Sequence, residues 1–371
     1  MDIRRLLKLG SLLAVLLIAL VTMCAQVSRA DGGSGEVYVM TNQPSGNSIM
    51  VFHRDPAGTL TSAGSFATGG NGAGTGADPL GSQGSLVLSE DQRLLFAVNA
   101  GSNSVSVFAV SGDQLRLLDT VGSGGVMPVS GTVKHDLVFV VNAGGIPNIS
   151  GFTIDPETNR LLPLPGSTRN LPGGAAAAPA QVSFTPDGSV LVVTEKGTNQ
   201  IDTFTLDEGI PGPGVSFASN GIEPFGFAFG HDDITIVSDA GSGAASSYEV
   251  EENGKVTLVS PALANTQAAP CWLIVSQNRR FAYTANAGSG TISSYTVSED
   301  GHLSLLQTVA ASTGSGSSPT DMTLSGNGRF LYVRTGGTGS VHGFRVEADG
   351  SLTLVATATG VPGGAQGIAA R

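Results

Sequence analysis

The chain has 371 residues, enough for one large core or two ordinary domains. It carries a net charge of −11, so a phosphate-rich partner such as nucleic acid, or an anionic lipid surface, is excluded on electrostatic grounds. With 53 glycines and only 13% charged residues, it lacks the Ala, Glu, Lys and Leu runs of a helical protein.

The first element is an export signal. Arg4, Arg5 and Lys8 precede an apolar stretch over residues 9–25, and Ser28-Arg29-Ala30 supplies the small residues a signal peptidase needs. Cleavage after Ala30 is expected, giving a secreted or periplasmic protein; a membrane association arises only if the segment is retained as an anchor. Cys271 is then the remaining cysteine, so no internal disulfide is available.

From Glu36 onward one unit repeats. Each copy has an inner strand that often opens after Pro, a tight turn, a strongly apolar second strand, and a polar loop of the Asn-Ala-Gly-Ser kind. A third strand ending in an aromatic residue follows, and an Asp-Gly turn leads to an outer strand. Residues 270–309 show the full pattern, with Asn286-Ala287-Gly288-Ser289 as the loop; residues 84–121 repeat it with Asn99-Ala100-Gly101-Ser102. The third-strand aromatics are Phe52, Phe108, Phe152, Phe204, Tyr248, Tyr295 and Phe344, one about every 49 residues. Four strands at that period predict an all-β, seven-bladed β-propeller of four-stranded antiparallel blades over residues 31–371. The first unit lacks an inner strand, and residues 364–370 match one, so the C-terminal strand is expected to pair into blade 1 and close the ring. The aromatics read as inter-blade core.

The Gly-rich stretch 69–81 lacks the Lys-Ser/Thr and the helix of a phosphate loop and reads as a flexible connector. Asn148-Ile149-Ser150 is a glycosylation sequon.

Ligands of propellers sit at the channel mouth, and aligning the repeats places two rings of residues there. The first comprises Asn42, Asn99, Asn142, Glu195, Asp239, Asn286 and Thr335; the second comprises Ser85, Ser130, Gln181, Gly226, Trp272, Asp321 and Gln366. Asn before Ala-Gly also holds a turn through its own backbone. Glu195 and Asp239 break the Asn pattern with charge and are the candidate catalytic carboxylates, one as general base toward water. Asp321, Trp272, Gln181, Asn286 and Asn99 are the candidate ligand-binding residues. His53, His135, His231, His302 and His342 show no metal-ligand spacing, so neither metal nor cofactor is expected. Cys271 reads as a buried structural thiol.

Phe184-Thr185-Pro186-Asp187-Gly188, Tyr283-Thr284-Ala285-Asn286, Asp300-Gly301-His302-Leu303 and Arg329-Phe330-Leu331-Tyr332-Val333 resemble the blade motifs of lactonase-type seven-bladed propellers. That family includes 6-phosphogluconolactonase-like and carboxymuconate-cyclase-like proteins and is related to YVTN-repeat propellers. The resemblance implies the fold over residues 36–371 and a lactone chemistry served by His and Arg around the Pro that opens inner strands. This chain has Ala178 and Ala180, Phe225 and Gly226, Cys271 and Trp272, and Thr320 and Asp321 at those places. The expected function is therefore a ligand- or protein-binding scaffold whose mouth takes a small molecule or a protein loop, on a monomer. An extracytoplasmic lactone hydrolase and a structural cell-surface repeat protein are the alternatives.

Overall fold

The computed structural model describes residues 33–371; the expected export signal, residues 1–30, lies outside the described residues. Seven antiparallel sheets stand in a ring, each with a short inner strand, two central strands and an outer strand. Blade 6 is typical: Pro270–Val275, Phe281–Asn286, Thr291–Val297 and Leu303–Ser312 pair in that order. Blades 3 and 4 each carry one further short strand against the third, Arg169–Asn170 and Val215–Ala218. A single 3-10 turn, Gly174–Ala176, is the one helical element among the described residues.

The ring closes as the sequence predicts. Ile368–Ala370 is the inner strand of blade 1, with Val39 opposite Ile368 and Val37 opposite Ala370. Arg371 then pairs with Glu36, and Arg54 donates to the carbonyl oxygens of Gly33 and Arg371. These bonds convert what would be an open sheet edge into a covered one.

Each blade has apolar residues on both faces of its second strand, because both faces meet a neighbouring blade. Phe281–Asn286 and Phe330–Thr335 are buried along their whole length. All seven third-strand aromatics are buried at 2% exposure or less, which makes them the inter-blade core. Neighbouring blades are also fastened by a repeated hydrogen bond. A hydroxyl of one blade donates to the glycine carbonyl of the next blade's outer turn: Tyr283 to Gly350 at 3.0 Å, Tyr332 to Gly58 at 3.0 Å, Thr203 to Gly254 at 2.7 Å and Ser247 to Gly301 at 2.7 Å. The turn glycines Gly350 and Gly58 have positive φ, and a Cβ on either would run into Phe281 or Phe330.

Five inner strands open with one device. The residue before Pro takes positive φ (Met127, Ala178, Glu223, Ala269 and Ser318), and the strand then bulges within the next three residues. The bulge bends the start of each inner strand.

The segment between the outer strand of blade 1, Leu60–Ala67, and the inner strand of blade 2, Leu86–Leu88, differs from the flexible connector its composition predicts. Its second half crosses the axis. Ser82 Oγ donates to Val129 O in blade 3 at 2.7 Å, and Gln83 N to Ala180 O in blade 4 at 3.1 Å. Gln83 Nε2 donates to Leu273 O in blade 6 at 2.8 Å and Oε1 accepts from Leu273 N at 2.9 Å. The backbone polar groups of inner strands, unpaired on the axial side, are thereby satisfied from within the chain. Gly226 is where this plug docks: a Cβ there would strike Gln83 and the Cys271 carbonyl.

Candidate ligand site at the plugged channel mouth

The Asn ring lies inside the blades. Asn99 and Asn286 are fully buried. Asn99 donates to Ser106 at 2.7 Å and to Ser104 at 3.3 Å, and accepts from Thr68 at 2.7 Å and Asn47 at 3.0 Å. Asn286 donates to Ser293 at 2.9 Å and Thr291 at 3.0 Å, and accepts from Asn265 at 3.0 Å. Every donor of the two amides is used, so they brace the loop that ends the second strand.

Glu195 and Asp239 occupy the same position in blades 4 and 5 and are also fully buried. The Glu195 carboxylate accepts from Gly173 N at 3.1 Å and from Thr198 Oγ1, which ties the connection between Arg169–Asn170 and the inner strand of blade 4, Pro179–Phe184, to the blade. Its neighbour is Asp202, seven residues on, where Asn99 and Asn286 have serine. Burial, and then the contact with Glu195, push Asp202 up to about 8. Burial likewise lifts Asp239 to about 7, against the opposing hydrogen bonds of Ser246 and Ser219, and its Oδ2 has no partner.

Polar groups of the second ring are spent on the plug or on neighbouring strands. Trp272 is fully buried, donates its indole N–H to Ser82 O at 2.8 Å, and meets Phe225 edge-on at 5.1 Å. Gln181 bridges blades 4 and 5 by accepting from Phe227 N at 2.8 Å and donating to Phe227 O at 3.0 Å. Asp321 is buried at 2% exposure with φ of 90°, and its Oδ1 accepts from Met322 N at 2.9 Å. Burial raises it to about 7 against the pull of Arg334; its Oδ2 is unpartnered. The seven candidates from the sequence thus do not converge on open space. The sequon Asn148 is buried too, with its amide donating to Ile146 O at 3.2 Å.

The groups that do reach the mouth stand one residue away from the aligned rings or on the plug. Lys196 follows Glu195. Its ammonium lies 4.7 Å from the centre of the Phe225 ring and donates to the Gly81 carbonyl. Burial in the concave mouth lowers its pKa, opposed by the charges of Asp78, Cys271 and Glu223. Asp78 sits on the plug, touching solvent while the ring surrounds it. Desolvation raises its carboxyl, Lys196 opposes the shift, and Oδ1 accepts from Gly81 N at 2.9 Å. Glu223 is exposed on the far side of Lys196. Arg334, just before Thr335, is fully buried; its guanidinium donates to Ala77 O at 2.8 Å and Pro362 O at 3.2 Å, and also to Thr320 Oγ1 and Gly363 O. Burial lowers it to about 10, with Asp321 and Asp78 opposing. The Cys271 thiol beside this cluster is pushed up by burial and by Asp78 and Glu223. Two cations therefore hold the two ends of residues 77–81, with a carboxyl between them.

Seven antiparallel sheets closed into a ring by the C-terminal strand define a seven-bladed β-propeller. The sequence profile of the family described as lactonase, 7-bladed beta-propeller, matches residues 37–170, 86–220 and 234–365, and the chain belongs to that family. No curated protein matches it in sequence. Among solved structures it is similar to a proposed 6-phosphogluconolactonase of Bacteroides uniformis, with a TM-score of 0.73 and 18% identity over 90% of this chain and 99% of that one. It is also similar to the periplasmic gluconolactonase of Pseudomonas aeruginosa, with a TM-score of 0.69 and 16% identity over 91% of this chain and 98% of that one. A virginiamycin B lyase from Staphylococcus aureus aligns with a TM-score of 0.53 and 14% identity over 74% of this chain and 84% of that one. Identities this low speak for the fold alone.

Proposed function

We propose that the protein hydrolyses small lactones at its channel mouth, with Lys196 and Asp78 as the working pair. The carrying observation is that a carboxyl and an ammonium meet at one residue of the mouth, Asp78 accepting from Gly81 N at 2.9 Å and Lys196 donating to the Gly81 carbonyl, where desolvation raises the one and lowers the other. A water oxygen adds to the lactone carbonyl and its proton passes to the Asp78 carboxylate. The negative charge that develops on the carbonyl oxygen faces the Lys196 ammonium. Collapse breaks the ring C–O bond, the leaving alkoxide takes the proton back from Asp78, and an open hydroxy acid remains. Phe225 offers an apolar floor beneath Lys196. Family membership and the gluconolactonase-like neighbours support this chemistry. The export segment supports an extracytoplasmic setting for it.

One observation favours a second reading, a binding module without turnover. Lys196 and Arg334 already bond plug carbonyls, and no His or Arg stands beside the prolines that open the inner strands of blades 4, 5, 6 and 7. Proton release from a sugar lactone and an aromatic lactone decides between the two. Turnover in the purified chain that falls at least ~100-fold in both Lys196→Met and Asp78→Asn is expected. No turnover by the parent chain, or full turnover in both variants, overturns the hydrolase assignment.

A further inference from the structure

Beside the working pair, the mouth widens into a cleft of about 580 Å³ between blades 7 and 1. Its walls are residues 74–77 of the plug, 336–337 of blade 7 and 362–364 of the closing segment, with Gln43 at one end. The volume falls in the range of about 300–1,000 Å³ that encloses a ligand larger than one small ring. No charged side chain lines it.

The walls are backbone. The amides of Thr75, Gly76, Ala77, Gly363 and Gly364 bond no acceptor among the described residues, and Thr75, Gly76 and Gly363 are exposed. The carbonyl oxygens of Thr75, Gly76, Gly336 and Gly337 likewise accept from no donor among the described residues. The floor is fixed from below, because Arg334 bonds the carbonyls of Ala77, Pro362 and Gly363 at once. Two fully or nearly fully buried polar atoms beneath this floor, Arg334 Nε and Asp321 Oδ2, have no partner. The wall is also built to stay open. Asn42 donates to Gly364 O at 3.3 Å and accepts from Ala73 N at 2.9 Å, tying the closing segment to the plug.

Mixed donors and acceptors on a rigid backbone suit hydroxyl groups, which need both. An anion is disfavoured: the carboxyl of Asp78 directly follows the lining residue Ala77, Arg334 is already bonded to four oxygens, and the chain carries a net charge of −11. Asp78 directly follows the lining residue Ala77 in the chain and feels both Lys196 and Arg334, so the cleft lies next to the working pair. We infer that the cleft is a subsite for a neutral polyhydroxylated group, so that the preferred substrate is a lactone at the end of a disaccharide or longer saccharide. This rests on the lactone reading for the reacting end only.

The test compares glucono-lactone with the lactone of cellobionic acid, and adds cellobiitol, a disaccharide polyol with no lactone, as a binding probe. Gly363→Leu is the variant. Gly363 is exposed, its φ is not positive, and a Cβ there meets only Gly336 O at 3.7 Å, so a side chain enters the cleft without backbone strain. A KM at least ~10-fold lower for the disaccharide lactone is expected in the parent chain, and Gly363→Leu should erase that advantage while leaving glucono-lactone turnover unchanged. Equal KM values, or an advantage that survives in Gly363→Leu, overturn the subsite. If neither lactone turns over, the hydrolase reading fails by itself and calorimetry with cellobiitol decides the cleft. Binding that weakens at least ~10-fold in Gly363→Leu sustains it; no binding by the parent chain overturns it.

Discussion

Blades 5 and 6 have the same strand order and second strands of six residues, Ile234–Asp239 and Phe281–Asn286, yet they end that strand differently. Asn286 is neutral and satisfies its amide on Thr291, Ser293 and Asn265. Asp239, in the identical place, keeps a carboxyl that burial lifts to about 7 and leaves Oδ2 without a partner. Blade 4 goes further, with Glu195 and Asp202 replacing the Asn and the Ser together. The frame thus needs a bracing group at this position but not a particular charge. Where it takes Asp239, burial favours a bound proton in place of an ion-pair partner.

That difference has a pH signature. A buried carboxyl raised from 3.8 to about 7 holds its proton when folded and loses it when unfolded, so stability falls as pH climbs from about 4 to about 7 and is level above. Asp239→Asn removes the dependence. The gain at pH 8 should be on the order of 4 kcal/mol, vanishing toward pH 4, and thermal melts of the two proteins across that range measure it. Parallel melting curves would mean that Asp239 is ionised inside the fold and that blades 5 and 6 do not differ in this way. The reciprocal exchange, Asn286→Asp, should cost about 1–3 kcal/mol at pH 8 and less at pH 5, because it transfers the proton requirement into blade 6. A loss that does not change with pH would assign the effect to the missing amide donors alone.

The seven aromatics, the turn glycines and the unpaired first blade were all legible in the sequence, because each repeats or fails to repeat at a fixed period. The mouth was not legible in the same way. Aligning repeats finds positions that recur, whereas residues 77–84 occur once and act on Leu273, 190 positions away from Gln83. Strand alternation hid the rest. Arg334 precedes the ring residue Thr335 and so takes the other face of its strand, while Lys196 follows Glu195 into the loop. Reading one residue to either side of the ring would have found both cations. Trp272 and Gln181 lie near the axis, but a sequence cannot show that the plug has already taken the Trp272 indole N–H and that blade 5 has taken the Gln181 amide.

The smallest expected effect is also the one that separates bracing from chemistry. Glu195 is adjacent in sequence to Lys196, yet its carboxylate faces Gly173, Thr198 and Asp202 inside blade 4, while Lys196 faces Gly81 and Phe225 at the mouth. Glu195→Gln keeps the size and can still accept from Gly173 N. Its amide would donate to Asp202 and relieve that group of part of its raised pKa. Stability should then shift by no more than ~1 kcal/mol and lactone turnover should not change. A variant with an unchanged melting temperature and lost turnover would place Glu195 in the chemistry after all, and blade 4 would have to be read as part of the site and not as its support.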